Sequence, residues 1–155
     1  MWWRRLRYVL LLVSLCAIAT CPAAKRACTE KVRTREADEL LTYLADRVTA
    51  QIAGTGHVPT EAAPQTPATS CCDQGGACAV DPSLWKTSAW QALQFSIDDE
   101  SRFAYAYLPD PSGRSAIVRA VGDVDCDGVT ATYELEIRVD GEGVKRSWTR
   151  QNRYE

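Results

Sequence analysis

The chain has 155 residues and a formal net charge of -2, and 46% of its residues are apolar while 25% are charged. This ordinary globular composition and slight negative charge give no reason to expect a nucleic-acid-binding protein. The length leaves room for one small domain after an N-terminal segment. Seven cysteines in a small chain that begins like an exported protein are typical of an oxidising compartment.

The first 24 residues have the charge pattern of a targeting or membrane segment. Three arginines among the first seven residues precede an apolar run over residues 8–24, which is the positive-inside arrangement. The run is about as long as the shortest segments that span a bilayer. Three interpretations stay open: a signal peptide cleaved at Ala17-Ile18-Ala19, a lipoprotein signal that ends before Cys21, or a retained membrane anchor.

Residues 25–53 predict an amphipathic helix. Apolar or small residues recur there at spacings of three and four, which sets them on one face of a helix with 3.6 residues per turn. These residues are Thr34, Ala37, Leu40, Leu41, Leu44, Ala45, Val48 and Ile52. Gly54-Thr55-Gly56 marks the end of the helix. We expect the helix to continue almost without a break from the apolar segment and to bury this stripe against a sheet.

The next stretch, residues 54–81, predicts an extended surface loop. Pro59, Pro64 and Pro67 stand there among glycine, threonine, alanine and serine, a composition that favours irregular structure. A short helix is predicted over residues 82–94, with Asp81 as its N-cap and a proline at its first position. We expect its two tryptophans to pack in the core rather than to bind a ligand.

The last third of the chain predicts four antiparallel strands. Apolar and polar side chains alternate from residue 102 onwards, most regularly over residues 129–139. The predicted strands are 102–108, 114–122, 129–139 and 144–150, joined by short turns of Pro, Asp and Gly. The predicted fold class is α+β, a long N-terminal helix packed on a four-stranded antiparallel meander, with residues 25–155 as the globular domain.

Four cysteines follow the N-terminal segment, and they predict two disulfides. They are Cys71, Cys72, Cys78 and Cys126. Adjacent cysteines seldom bond each other because the ring between them is strained. We therefore expect one of the adjacent pair to bond Cys78 and the other to bond Cys126, and the sequence leaves the assignment open. A zinc site is disfavoured because the chain has no Cys-x-x-Cys unit.

Three aspartates at alternate positions mark the loop that follows residue 122. They are Asp123, Asp125 and Asp127. Together with Gly128 and Glu134 they match the calcium-loop pattern D-x-D-x-D-G-x5-E. If residues 129–139 form a strand, Glu134 lies roughly 20 Å beyond Asp127, at ~3.3 Å per residue. Glu134 is therefore not expected to complete the site.

The predicted meander brings a second acidic group to the same end of the sheet. Asp98, Asp99 and Glu100 precede the first predicted strand. In an antiparallel meander the start of that strand lies at the same end of the sheet as the end of the second strand and the start of the third. Several carboxylates that meet at one place repel each other unless a cation binds. Two interpretations of the loop stay open: a calcium site formed by the loop aspartates together with Asp98 and Asp99, and a plain Asp/Gly turn.

The order of a half-apolar, half-amphipathic helix, a loop and a meander resembles the type IV pilins and the pseudopilins of type II secretion systems. The stretches that carry the resemblance are Cys21-Pro22, Lys25-Arg26-Ala27-Cys28, Arg35-Glu36-Ala37, Trp90 to Tyr107, and Gly122-Asp-Val-Asp-Cys-Asp-Gly128. The Gly-Phe-Thr-Leu-Ile-Glu sequence that prepilin peptidase recognises in that family is absent from this chain.

The resemblance implies a pilin-like fold and a structural subunit of a filament assembled at the inner membrane, in a type IV pilus or a type II secretion system. Such a subunit contacts other subunits and the inner membrane through its N-terminal helix, and its domain lies in the periplasm or outside the cell. The alternative is a periplasmic lipoprotein or a secreted binding module with a removed signal peptide. An enzyme is not expected, because no grouping of nucleophile, base and oxyanion donor can be recognised.

Overall fold

The computed structural model describes residues 34–153. The chain divides into two compact units, Met1–Val32 and Arg33–Glu155. The predictions for the apolar segment 1–24 and for the first part of the helix, residues 25–33, lie outside the described residues. Within residues 34–153, no helix has both the length and the apolar character needed to cross a bilayer.

The main helix, α1, is described from residue 34 and ends at residue 55. The predicted apolar stripe is confirmed, since one face of α1 is buried along this length and only Leu40 in the stripe is half-buried. The buried residues are Thr34, Ala37, Leu41, Leu44, Ala45, Val48 and Ile52. The helix stops before Gly56, which has a φ of 78° and donates its N–H to the carbonyl oxygen of Ile52 over 2.7 Å.

Five antiparallel strands follow the helix. They are β1 (Ala63–Thr66), β2 (Ala104–Pro109), β3 (Ser115–Gly122), β4 (Ala131–Asp140) and β5 (Gly143–Gln151). The strands lie side by side in chain order, and each pairs with its neighbours in the sequence. The four strands that alternation predicted correspond to β2 to β5, with ends that differ by no more than two residues.

The predicted fold class, a long N-terminal helix on a four-stranded meander, is wrong. The sheet has a fifth strand, because β1, which we predicted as part of a surface loop, pairs with β2. Pro64 lies inside β1, and proline cannot donate a ladder hydrogen bond. A proline is tolerated at the edge of a sheet, where its missing N–H needs no partner. The helix that accompanies this sheet is described over residues 34–55 only.

The predicted helix over residues 82–94 is split into two pieces. A 3-10 turn spans Pro82–Trp85, and a short helix, α2, spans Ser88–Leu93. Asp81 caps the first piece as expected, since its carboxylate accepts the Ser83 N–H over 2.9 Å. Thr87 has an extended backbone and its side chain caps the second piece, so the chain starts a new helix at this point.

The core lies between α1 and the face of the sheet that carries the alternate apolar residues of β2, β3 and β4. Its largest fully buried side chains are aromatic: Trp90, Tyr105, Tyr107, Tyr133, Phe95 and Phe103. Trp90 donates its indole N–H to the Thr66 hydroxyl over 3.0 Å, which ties α2 to β1. Trp85 and Trp90 are 5% and 0% exposed, so the expectation that both tryptophans pack in the core is confirmed.

Candidate functional site: the acidic loop and its disulfide

The loop between β3 and β4 brings three carboxylates together. One oxygen from each of Asp123, Asp125 and Asp127 lies within 4.8 Å of the others. Asp125 and Asp127 are exposed and Asp123 is half-buried. Carboxylate oxygens are the ligands that calcium prefers, and calcium takes six to eight of them. The donor set fits a hard cation, which would draw its remaining oxygens from backbone carbonyls or water.

Two of these aspartates also hold the loop in shape. The carboxylate of Asp123 accepts the N–H of Asp127 over 3.2 Å and that of Gly128 over 2.9 Å. Asp127 accepts the Val129 N–H over 2.8 Å. The Asp125 side chain makes no hydrogen bond to another residue in the described range 34–153. Asp125 is therefore the aspartate whose carboxylate is most available to a ligand.

The structure does not place Asp98 and Asp99 in this group of carboxylates. Asp98 lines a groove beside Phe95, and Asp99 lines a small cavity beside Cys78. The reason lies in the residues before β2, because Ser101 exchanges two backbone hydrogen bonds with Cys78, at 2.7 and 3.3 Å. With Ser101 fixed beside Cys78, Asp98 and Asp99 line the groove and the cavity instead of joining the three loop aspartates.

Glu134 lies in β4 and is not a member of the carboxylate group within the described residues. Its carboxylate pairs with the Arg119 guanidinium on the neighbouring strand, over 2.7 Å. The two residues are direct partners in the β3–β4 register. The expectation that the strand carries Glu134 away from the loop is therefore met, despite the match to the calcium-loop pattern.

Two disulfides join the four cysteines that lie within the described residues. Cys71 bonds Cys78, and Cys72 bonds Cys126. The predicted division of the adjacent cysteines is confirmed, and the structure supplies the assignment that the sequence left open. The second bond anchors the middle of the acidic loop, where Cys126 has a φ of 62°. Two disulfides in a domain of this size indicate an exported protein.

Glu36 is a half-buried ionisable residue whose role the sequence did not reveal. Its carboxylate accepts the Arg102 N–H at 3.1 and 3.2 Å and the Tyr105 hydroxyl at 3.0 Å. These bonds join α1 to the start of β2. Burial raises the pKa of the Glu36 carboxyl above its usual value of 4.5, although the hydrogen bonds from Arg102 and Tyr105 lower it. In the sequence, the position of Glu36 beside Ala37, at the border of the apolar stripe, was the feature that could have predicted its partial burial.

Replacing Glu36 with glutamine is expected to stabilise the protein at neutral pH. Because the folded-state pKa is raised, Glu36 contributes most stability below its unfolded value of 4.5 and loses that contribution as pH rises through the folded value. Glutamine keeps an oxygen that accepts both hydrogen bonds and has no charge to bury. Thermal unfolding should therefore show a higher Tm for Glu36→Gln at pH 7 and no gain at pH 4. A Tm gain that is equal at both pH values would contradict this account.

Calcium binding by the acidic loop stays a prediction. Millimolar calcium is expected to raise the Tm, because a ligand of the folded state at ten times its Kd adds about 1.4 kcal/mol of stability. Asp125→Ala should abolish the effect without breaking a loop hydrogen bond. Glu134→Ala is the matched control and should keep most of it, since Glu134 lies in β4. Differential scanning calorimetry of the wild type and the two variants, each with calcium, with magnesium and with chelator, measures these shifts in Tm. A wild-type Tm that does not change with calcium would mean that the loop is a plain turn.

A groove of about 450 Å³ lies apart from the acidic loop. The buried aromatic residues Trp85, Trp90 and Phe95 line it, and Lys86 and Asp98 contribute opposite charges. The three rings expose almost no surface to the groove, so its accessible lining is mainly polar, with one positive and one negative side chain. Comparison with family models, with curated proteins and with solved structures finds no match to this chain.

Proposed function

We propose that the protein is a non-enzymatic structural subunit of an exported filament, of the type IV pilus or type II secretion class. In this proposal residues 8–24 are retained as an inner-membrane anchor, and the helix that follows them packs against other subunits. The domain described here then lies in the periplasm or outside the cell. The two disulfides support the exported location, and the apolar run in the sequence supports the anchor.

The observation that carries the proposal is the way α1 is fixed to the sheet. One face of the helix is buried along its described length. At the β5 side, Arg146 pairs with Asp46 over 2.7 Å and Arg150 with Asp38 over 2.8 Å. A pull on the N-terminal end of this helix is resisted by core burial and by these ion pairs together. Such an attachment is what a subunit needs if force on its anchored segment is to reach the folded domain.

The state of the mature N-terminus tests the proposal. In cells that make the full chain, we expect sheared surface filaments or a membrane-assembled complex to contain the protein with residues 8–24 intact. Intact-mass spectrometry of that fraction measures the N-terminus directly. A diacylglyceryl group on Cys21, or a mature start near Thr20, together with absence from any assembly, would overturn the proposal in favour of a lipoprotein or secreted module.

One surface feature favours that second function, an exported binding module. The groove described above carries exposed amide and charged side chains, Gln91, Gln94, Lys86 and Asp98, which are the kinds of polar group that orient a small ligand. If the protein is such a module, Gln91→Ala and Gln94→Ala should abolish ligand binding without affecting the Tm, since both side chains are exposed.

A further inference from the structure

The two edges of the sheet differ in how readily they admit another strand. β1 has four residues, includes Pro64, and its register with β2 shifts between Ala63 and Thr66. Short length, proline and irregular register are devices by which proteins close an edge. β5 has nine residues without a proline, and its register with β4 is unbroken from Gly143 to Gln151. Among the described residues, no strand pairs with the outer side of β5.

The pairing of β5 with β4 determines which backbone N–H and C=O groups of β5 point outward, away from β4. Val139 donates its N–H to the Arg114 carbonyl oxygen over 2.8 Å, so this N–H points towards β3. Val139 therefore forms a non-hydrogen-bonded pair with Val144, its partner in β5. Hydrogen-bonded and non-hydrogen-bonded pairs alternate along an antiparallel ladder. The β5 residues whose N–H and C=O groups point outward are therefore Val144, Arg146, Trp148 and Arg150.

Basic side chains on an edge strand normally discourage a second strand, but those of β5 are already paired within the chain. The pairs are Lys145 with Asp140 and Glu142, Arg146 with Asp46, and Arg150 with Asp38, at 2.7 to 2.8 Å. Their charges are thus balanced by carboxylates of the same copy. The edge keeps a regular row of backbone donors and acceptors without a net charge that repels a partner.

We propose that two copies of this chain pair through β5, antiparallel and centred on Ser147. This register overlaps all nine residues of both strands. It sets Arg146 opposite Trp148 of the second copy, and Lys145 opposite Thr149, so no like charges face each other. Centring the pair on Arg146 or Trp148 instead sets arginine against arginine, which is destabilising. The closed edge at β1 prevents head-to-tail addition of sheets, so the contact is two-fold symmetric.

This contact is separate from the helix contacts of the proposed filament, and cysteine cross-linking of the full chain tests it. Ser147→Cys places two thiols in the central non-hydrogen-bonded pair, where Cα atoms are about 4.5 Å apart, within reach of a disulfide. Thr149→Cys is the matched control, since it is exposed on the same face but its two copies lie about 13 Å apart along the strands. The background replaces Cys16, Cys21 and Cys28 with serine.

After oxidation with copper phenanthroline, non-reducing electrophoresis of Ser147→Cys is expected to show a reducible band at twice the 17.1 kDa mass of the chain. That band should be roughly tenfold stronger than the band of Thr149→Cys, because only residue 147 faces its own copy. Mixed Lys145→Cys and Thr149→Cys chains should also cross-link, at about half the yield of Ser147→Cys, because only a dimer of one chain of each kind sets residue 145 opposite residue 149 as two cysteines. Equal bands from Ser147→Cys and Thr149→Cys, or no band from Ser147→Cys, would overturn the proposal.

Discussion

Replacement of Leu44 with aspartate is expected to unfold the protein. Leu44 is 0% exposed and lies in the core cluster with Leu41 and Val48. The substitution removes about 2 kcal/mol of side-chain burial and leaves an unpaired carboxylate in the core, which costs several kcal/mol more or forces the core open. A small domain has roughly 5–15 kcal/mol of stability in total. Circular dichroism of the purified chain should therefore show no cooperative melting transition for Leu44→Asp.

Thr42→Asp is the matched control for this prediction, because it adds the same carboxylate to the exposed face of α1. Among residues 34–153 its hydroxyl donates a hydrogen bond to the Asp38 carbonyl oxygen alone, over 2.7 Å, and the new charge stays in water. The expected loss is below about 1 kcal/mol, mainly from repulsion by carboxylates one turn away. Wild-type melting of Leu44→Asp would show that α1 does not depend on this stripe for its attachment to the sheet.

The sequence predicted those elements whose side-chain pattern is periodic. Alternation located β4 because Tyr133, Leu135 and Ile137 face the core while Glu134 and Glu136 face outward. The spacing of Leu41, Leu44 and Val48 predicted the buried face of α1 for the same reason. These patterns report which side of an element is buried. They therefore predict a helix or a strand even when the element that packs against it is not known.

Features that depend on contact between distant parts of the chain were not predictable in this way. β1 carries the composition of a loop, and it becomes a strand only because β2 supplies hydrogen bonds. The position of Asp98 and Asp99 depends on the backbone pairing of Ser101 with Cys78, which no local pattern signals. Glu36 is partly withdrawn from solvent because Arg102 and Tyr105 approach it from another element. In each case the partner lies more than 20 residues away, beyond the reach of local periodicity.

Gly122, the last residue of β3, gives a second large expected effect. A Cβ at this position would lie 2.6 Å from the Arg102 carbonyl oxygen and 2.7 Å from Cδ1 of Phe103. The first of these atoms belongs to the backbone just before β2 and the second to a fully buried ring, so neither can move without disturbing the start of β2 and the core. Gly122→Ala is expected to destabilise the protein by about 3 kcal/mol, the upper range for overpacking a core.

The matched control is Gly141→Ala in the turn between β4 and β5, where an added Cβ meets nothing within 4 Å. Urea unfolding of both variants and the wild type measures the difference, and Gly141→Ala should stay within about 0.5 kcal/mol of the wild type. The loss in Gly122→Ala should appear as a lower midpoint with an unchanged slope, because the substitution alters packing rather than the surface exposed on unfolding. Equal urea midpoints for the two variants would contradict this prediction. They would mean that the backbone around Arg102 and Gly122 can shift enough to accept a methyl group, and that the close approach of these two residues is not fixed.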